Sequence, residues 1–278
     1  MRVALVQLTV SDDPEANLPQ TLAAVQSAAA QGAEFILTPE VTNCISTSRA
    51  RQVEVLRREA EDITLAALQD AAKALGVTIL IGSLALKTDD ADGRFANRSF
   101  LIGPDGQIQA RYDKMHMFDV TVSDTESYHE SKGYRPGAGP SQSEVAGVPV
   151  GLTICYDVRF PYLYRHLAQT GAAMITVPAA FAVATGEAHW EVLLRARAIE
   201  NGCFILAPAQ TGTHPASVGA SRKTYGHSMI VAPWGEVLLD AGKEPGVYLA
   251  DLDLTAVTNA RGKVPSLTHD RPLVKQDG

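Results

Sequence analysis

Cysteine is scarce in this chain: three among 278 residues, Cys44, Cys155 and Cys203. An odd, scattered set makes no disulfide framework, and no CxxC pair suggests a zinc site. The seven histidines do not cluster at metal-ligand spacing, so no metal is expected. No apolar run reaches the length of about 20 residues that spans a bilayer. The apolar start MRVALVQLTV is too short for the core of a signal peptide and passes into SDDPEAN with no cleavage-site pattern. Positive charge is also in deficit: 24 Lys and Arg against 31 Asp and Glu leave a net charge of −7. That argues against nucleic acid or an anionic membrane surface as a partner. It does not exclude a small anionic substrate, because one local Arg outweighs a diffuse negative field. No stretch reads as a linker or a low-complexity tract. The expectation is a soluble, cytoplasmic, single-domain protein over residues 1–278, with a C-terminal tail from about 261 to 278.

What is present is a substantial core, with 46% hydrophobic residues, arranged as alternating strands and helices. VALVQLTV (3–10) reads as a strand, and 11–32 as a capped helix with Leu18, Leu22 and Val25 on one face and Gly32 as its stop. AEFILTPE (33–40) is a buried strand, 53–76 one long amphipathic helix closed by Gly76, and 77–86 a strand. Residues 98–114 form a hairpin at a PDG turn, followed by a loop-rich stretch from about 116 to 147. The second half repeats this alternation, with strands at 148–155, 172–181 and 203–212, helices at 161–171 and 187–202, a hairpin at 226–242 and a last strand at 246–254. One echo links the halves. Gly32-AEFILTPE and Gly171-AAMITVPA share a helix-stop Gly, a small residue, an apolar run and a Pro, and Glu40 aligns with Ala179. Two related sheets facing each other, with helices outside, would explain it.

Continuous apolar strands are covered on both faces, and sites in such sheets form beyond the strands' carboxyl ends. Glu40 and Cys155 both sit at such ends, the latter in GLTICYDVRFP (151–161). A thiol there becomes a nucleophile once a neighbour takes its proton. Glu40 is the candidate, because a carboxyl in an apolar pocket can have its pKa raised until it serves as a base near neutrality. Lys114, after the strand QIQARYD, can hold a thiolate or an oxyanion, and the Tyr156 N–H directly behind the sulfur is a second donor. Taken singly, each has a plainer reading: Cys155 as an inert buried thiol, Lys114 as a surface residue, Glu130 as a loop acid.

Together, TPE (38–40), YDKMHMFD (112–119), ESKGYRPG (130–137) and GLTICYDVRFP resemble the nitrilase superfamily of carbon–nitrogen hydrolases. The resemblance runs from VALVQL to YGHSMIVAPWGEV, nearly the whole chain. It implies an α/β fold, the four-layer αββα sandwich, with no metal or organic cofactor and a homodimer packed through outer helices. It also implies roles: Glu40 as general base, Lys114 as oxyanion stabiliser, Cys155 as nucleophile, and Glu130 as the second carboxylate. RFP after CYD, the YGHSMIVAPWGEV hairpin and HDRP near the end resemble the Nit branch, which includes ω-amidases and amidases of deaminated glutathione. AIENGCFILAPAQTGTH and TYGHS lean toward the latter, while HMFDV and ESKGYRPG also suit the former.

The expected reaction is thioester-mediated hydrolysis of a small α-keto acid amide, with Glu40 carrying the proton from sulfur to the departing ammonia. The carboxylate of such a substrate needs a cation. Arg159 is the candidate, with a structural salt bridge to Asp157 or to a helix C-terminus as its alternative. Phe181 and Thr185 are expected to wall the pocket, and His189 and Trp190 to line its entrance. Loops 41–52, 116–135 and 211–224 should decide substrate length. The 161–171 helix and the C-terminal tail are candidates for the dimer surface. Four rivals stay open: a nitrile or N-carbamoyl substrate, acyl transfer, a Cys–His enzyme, and a silent scaffold protein.

Overall fold

The computed structural model describes residues 1–123 and 126–271. The first half contributes strands β1 (Arg2–Gln7), β2 (Phe35–Leu37), β3 (Thr78–Leu86), β4 (Ala96–Ile102) and β5 (Ile108–Asp113), then a small hairpin of β6 (Asp119–Ser123) and β7 (Glu126–His129). The second half contributes β8 (Ser141–Val145), β9 (Val148–Leu152), β10 (Met174–Thr176), β11 (Phe204–Ala207), β12 (Thr211–His214), β13 (Arg222–Tyr225), β14 (Met229–Val231), β15 (Val237–Asp240) and β16 (Gly246–Asp251). The helices are α1 (Pro14–Ala30), α2 (Arg49–Val55), α3 (Ile63–Leu75), α4 (Pro161–Gln169), α5 (Val183–Asn201) and α6 (Thr255–Lys263).

Two six-stranded sheets follow, in the orders β16-β1-β2-β3-β4-β5 and β15-β14-β11-β10-β9-β8. At the heart of each lies a parallel triplet, β1-β2-β3 and β9-β10-β11. The strands of the echoed segments, β2 and β10, are the central strands of these triplets. The echo therefore marks equivalent positions in two sheets.

Alternation along the strands sorts side chains between layers. Val3, Leu5, Phe35, Leu37 and Leu80 pack with the second half, whereas Ala4, Val6, Ile36, Ile79 and Ile81 pack beneath α1 and α3. With α4 and α5 against the other sheet, the layers run helix, sheet, sheet, helix, the expected sandwich.

The helix expected over 53–76 is two helices. Asp62 caps α3 by accepting from Thr64 N (3.0 Å) and Leu65 N (2.9 Å), and Leu56 turns extended and fully buried between α2 and that cap. An amphipathic pattern ran through the break because Leu56 stays buried in extended chain. The loop-rich stretch holds the β6–β7 hairpin and β8. Of the C-terminal tail, residues 272–278, including Pro272 of HDRP, lie outside the described residues. Up to Asp270 the tail rests on α4 of its own chain, where Arg165 Nε donates to Asp270 Oδ1 (2.9 Å) and Arg165 Nη2 to Ser266 O (2.6 Å).

Candidate active site

The two face-packed sheets approach most closely at Gly82, where chain leaving β2 and β10 converges. A Cβ there would lie 2.0 Å from Thr38 O and 2.5 Å from Pro178 Cβ, so only glycine lets the β2 and β10 ends approach this closely. Pro39 leads to Glu40, and Pro178 O accepts from Cys155 N (2.9 Å). Glu40 comes from one sheet and Cys155 from the other.

Both ends are strained. Cys155 has φ +48°, and so does Val41, directly after Glu40. A β-branched residue rarely adopts that region, and such outliers persist only where their surroundings hold them. Val41 N donates to Ser83 Oγ (2.7 Å) and Thr42 N to Ser83 O (2.9 Å). Behind Cys155, the wholly buried Asp157 accepts from Ile154 N (2.8 Å), Tyr112 OH (2.7 Å) and His116 N (3.1 Å). It thus ties the cysteine turn (155–159) to the chain on both sides of Lys114. Asp157 makes no salt bridge with Arg159.

Lys114 extends the β4–β5 ladder, its N–H donating to Asn97 O (2.9 Å). Its ammonium lies 3.0 Å from Glu40 Oε1 and 2.9 Å from both Glu130 oxygens. Asn97 Nδ2 donates to Glu40 Oε1 (2.9 Å) and Glu130 Oε1 (3.4 Å), while Ala180 N donates to Glu40 Oε2 (2.8 Å) and Phe118 N to Glu130 Oε2 (2.6 Å). Lys114, Glu40 and Cys155 are all buried.

Burial alone would raise the Glu40 carboxyl, but Lys114 and then Arg222 outweigh it and hold it below the ordinary range. The expected upward shift is thus reversed, because the counter-charges lie so close. Burial would also strip Lys114 of its proton, but Glu130, Glu40 and Cys155 keep it well above its usual value. Burial and then Glu40 push the Cys155 thiol up, offset only partly by Lys114 and the Ala180 N–H. These directions leave the thiol neutral near a carboxylate and an ammonium.

These groups open onto a cavity of about 510 Å³ lined also by Glu130, Tyr156, Phe181 and Thr185. All three loops expected to decide substrate length contribute to its wall. The Tyr156 N–H has no acceptor among the described residues. Arg159 lies outside the lining, its guanidinium 5.5 Å from the Phe181 ring centroid and 5.9 Å from that of Tyr156, with Nη2 donating to His189 Nδ1 (3.2 Å). Trp190 is not at the entrance: it is buried and donates to His227 O (2.8 Å), because its position on α5 faces the sheet. Cys203 packs in the core, whereas Cys44, also buried, borders the cavity.

Sequence reasoning missed Asn97 and Arg222. Asn97 was within reach: counting back from the PDG turn, the register Arg98↔Asp113 places Asn97 beside Lys114. Arg222 carries no such signal, since its strand follows a non-periodic loop.

Residues 2–262 match the family model described as Carbon-nitrogen hydrolase. The chain is 40% identical over 270 residues to the "Deaminated glutathione amidase" of Synechocystis sp. (strain PCC 6803 / GT-S), covering 96% of each chain. It is 34% identical over 270 residues to the "Omega-amidase NIT2" of Homo sapiens, covering 97% of this chain and 95% of that one. Among solved structures, the C. elegans NitFhit protein superposes with a TM-score of 0.89 at 32% identity, over 97% of this chain and 65% of that chain.

Proposed function

This chain belongs to the carbon–nitrogen hydrolase family and is an amidase, and from that premise we propose that it cleaves deaminated glutathione through a thioester on Cys155. The observation that carries the mechanism is the convergence of Cys155, Glu40 and Lys114, from two sheets and a hairpin end, on one cavity. Deaminated glutathione joins an α-ketoglutaryl group to Cys-Gly through the scissile amide, so it bears a carboxylate at each end.

In the proposed reaction the Cys155 sulfur attacks the amide carbon while Glu40 takes its proton. The low basicity of Glu40 and the high pKa of the thiol leave the proton on sulfur until attack begins, which protects a buried thiol from idle ionisation. Lys114 and the Tyr156 N–H receive the oxyanion. As the carbon–nitrogen bond breaks, Glu40 gives its proton to the departing amine. Water then attacks the thioester, losing a proton to Glu40, and the sulfur leaves and is reprotonated. Glu130 holds Lys114 and orients the amide nitrogen. Arg159, above Phe181 and Tyr156, attracts the keto-acid carboxylate, with Thr185 as a hydrogen-bonding wall.

The ω-amidase relative supports a second reading, release of ammonia from α-ketoglutaramate. Purified enzyme offered both compounds in parallel, with Cys155→Ala as control, separates the two. Preference for deaminated glutathione that vanishes in the variant is expected. Turnover of α-ketoglutaramate alone would replace the substrate, and activity surviving in Cys155→Ala would remove the nucleophile. We also propose a homodimer through the outer helices, supported by exposed Val192 and Ile199 on α5 and Trp234 in the β14–β15 turn. Light scattering that finds only a 29.6 kDa species would refute it.

A further inference from the structure

Six charged side chains line the cavity: Lys114, Arg49, Lys132 and Arg222 against the carboxylates of Glu40 and Glu130. The pocket carries excess positive charge on a chain of net charge −7. Such a cleft concentrates anions. Its cations are not equivalent. Lys114 is consumed by the two carboxylates. Arg49 donates to Gly133 O and Gly93 O and lies 3.6 Å from the Phe95 ring centroid. Lys132 is exposed at the rim.

Arg222 differs. Its Nη2 donates to Ala180 O (2.6 Å), and its Nε is buried without a hydrogen-bond partner among the described residues. Among those residues no carboxylate forms an ion pair with it. Its charge acts on Glu40, but a half-buried guanidinium with an unbonded Nε is costly, and its planar fork matches a carboxylate. Its place in the site decides which carboxylate. The Ala180 carbonyl anchors Arg222, and the Ala180 N–H donates to Glu40 Oε2 (2.8 Å). Arg222 is therefore one residue removed from Glu40, and its charge acts on that carboxylate. Glu40 is the group that hands a proton to the departing nitrogen, so whatever that nitrogen carries extends past Glu40. Arg159 stands with the rings of Phe181 and Tyr156 instead.

Resting on the substrate reading above, we propose that Arg222 receives the carboxylate on the leaving-group side of the scissile amide, the end that α-ketoglutaramate lacks, and so selects a peptide-like leaving group. The test compares deaminated glutathione with its C-terminal glycinamide, identical except for that carboxylate, on the wild type, Arg222→Gln and Arg222→Lys. The readout is the ratio of kcat/KM for the acid over the amide. Arg222 also braces Ala180, so its loss slows both substrates, but a common factor cancels in the ratio. The wild type should favour the acid by about ten- to a hundredfold, the worth of one charge-assisted hydrogen bond. The ratio should fall toward one in Arg222→Gln and recover in part in Arg222→Lys, which keeps the charge without the fork. A wild-type ratio near one, or a ratio unchanged in Arg222→Gln, overturns the role of Arg222 while leaving the substrate in place. A wild type that hydrolyses neither compound sinks the substrate reading itself, and the assignment with it.

Discussion

Lys114 is buried with two carboxylates on its ammonium, and the charges of Lys114 and Glu40 support each other. Removing one partner of a buried ion pair leaves the rest uncompensated. Lys114→Ala should therefore do two things at once. It should lower kcat by at least about a hundredfold through loss of an oxyanion donor. It should also raise the acid limb of the pH profile. In the proposed mechanism Glu40 must be ionised to take the thiol proton, and in the wild type Lys114 and Arg222 hold its carboxyl low against burial. The wild-type kcat/KM should thus stay level as pH falls from 7, with its acid limb below the ordinary glutamate value of about 4.3. In Lys114→Ala burial prevails and the limb moves up. A limb near pH 6 in the wild type would mean that burial already dominates.

Elements matter here through what they clamp. The β12–β13 hairpin carries Arg222 and is latched by His214 to Val10, three residues past β1. Its Nδ1–H donates to Val10 O (2.7 Å), and Nε2 accepts from Thr224 Oγ1 (2.7 Å). Burial holds the His214 pKa down at about 4. The folded value lies below the unfolded value of about 6.5, so the folded protein favours the neutral ring. The latch contributes its full stability above pH 6.5 and loses it as pH falls toward 4. Denaturant unfolding at pH 7 and pH 4.5 should show the wild type losing about 2 kcal/mol more than His214→Gln between the two. Equal losses would place the pH sensitivity elsewhere. The break within residues 53–76 has a related cause: hydrophobic spacing is continuous there, yet Asp62 supplies a start signal inside it. A cap competes with propagation, and a periodicity count does not weigh the two.

At the scale of the molecule, the site exists because chain leaving the central strands of two face-packed sheets converges on a residue without a side chain. Gly82→Ala places a methyl group against backbone oxygen and a proline ring from opposite sheets. Backbone cannot rotate away as a side chain can, so the sheets must part. A loss of about 3 kcal/mol or more is expected, with activity falling further than stability because Glu40 and Cys155 separate. Gly139, with open space around its Cα, is the control: Gly139→Ala should change stability by no more than about 0.5 kcal/mol. Melting curves for the two variants decide it, and equal melting temperatures would refute the contact at Gly82.

The sequence by itself determined the strand and helix alternation and the family, and it singled out Glu40, Lys114, Glu130 and Cys155 as the candidates that the fold brings together, because strand ends, apolar runs and short polar motifs are local features that a linear reading resolves. The echo between the halves even anticipated the two central strands. Only the tertiary structure decided the direction of the Glu40 pKa, since that depends on how closely Lys114 and Arg222, 74 and 182 positions away in the chain, approach the carboxylate. It alone drew Asn97 and Arg222 into the site, turned Trp190 inward and set Arg159 outside the cavity lining. Electrostatic energy falls with distance in space, and distance along the chain carries no record of it.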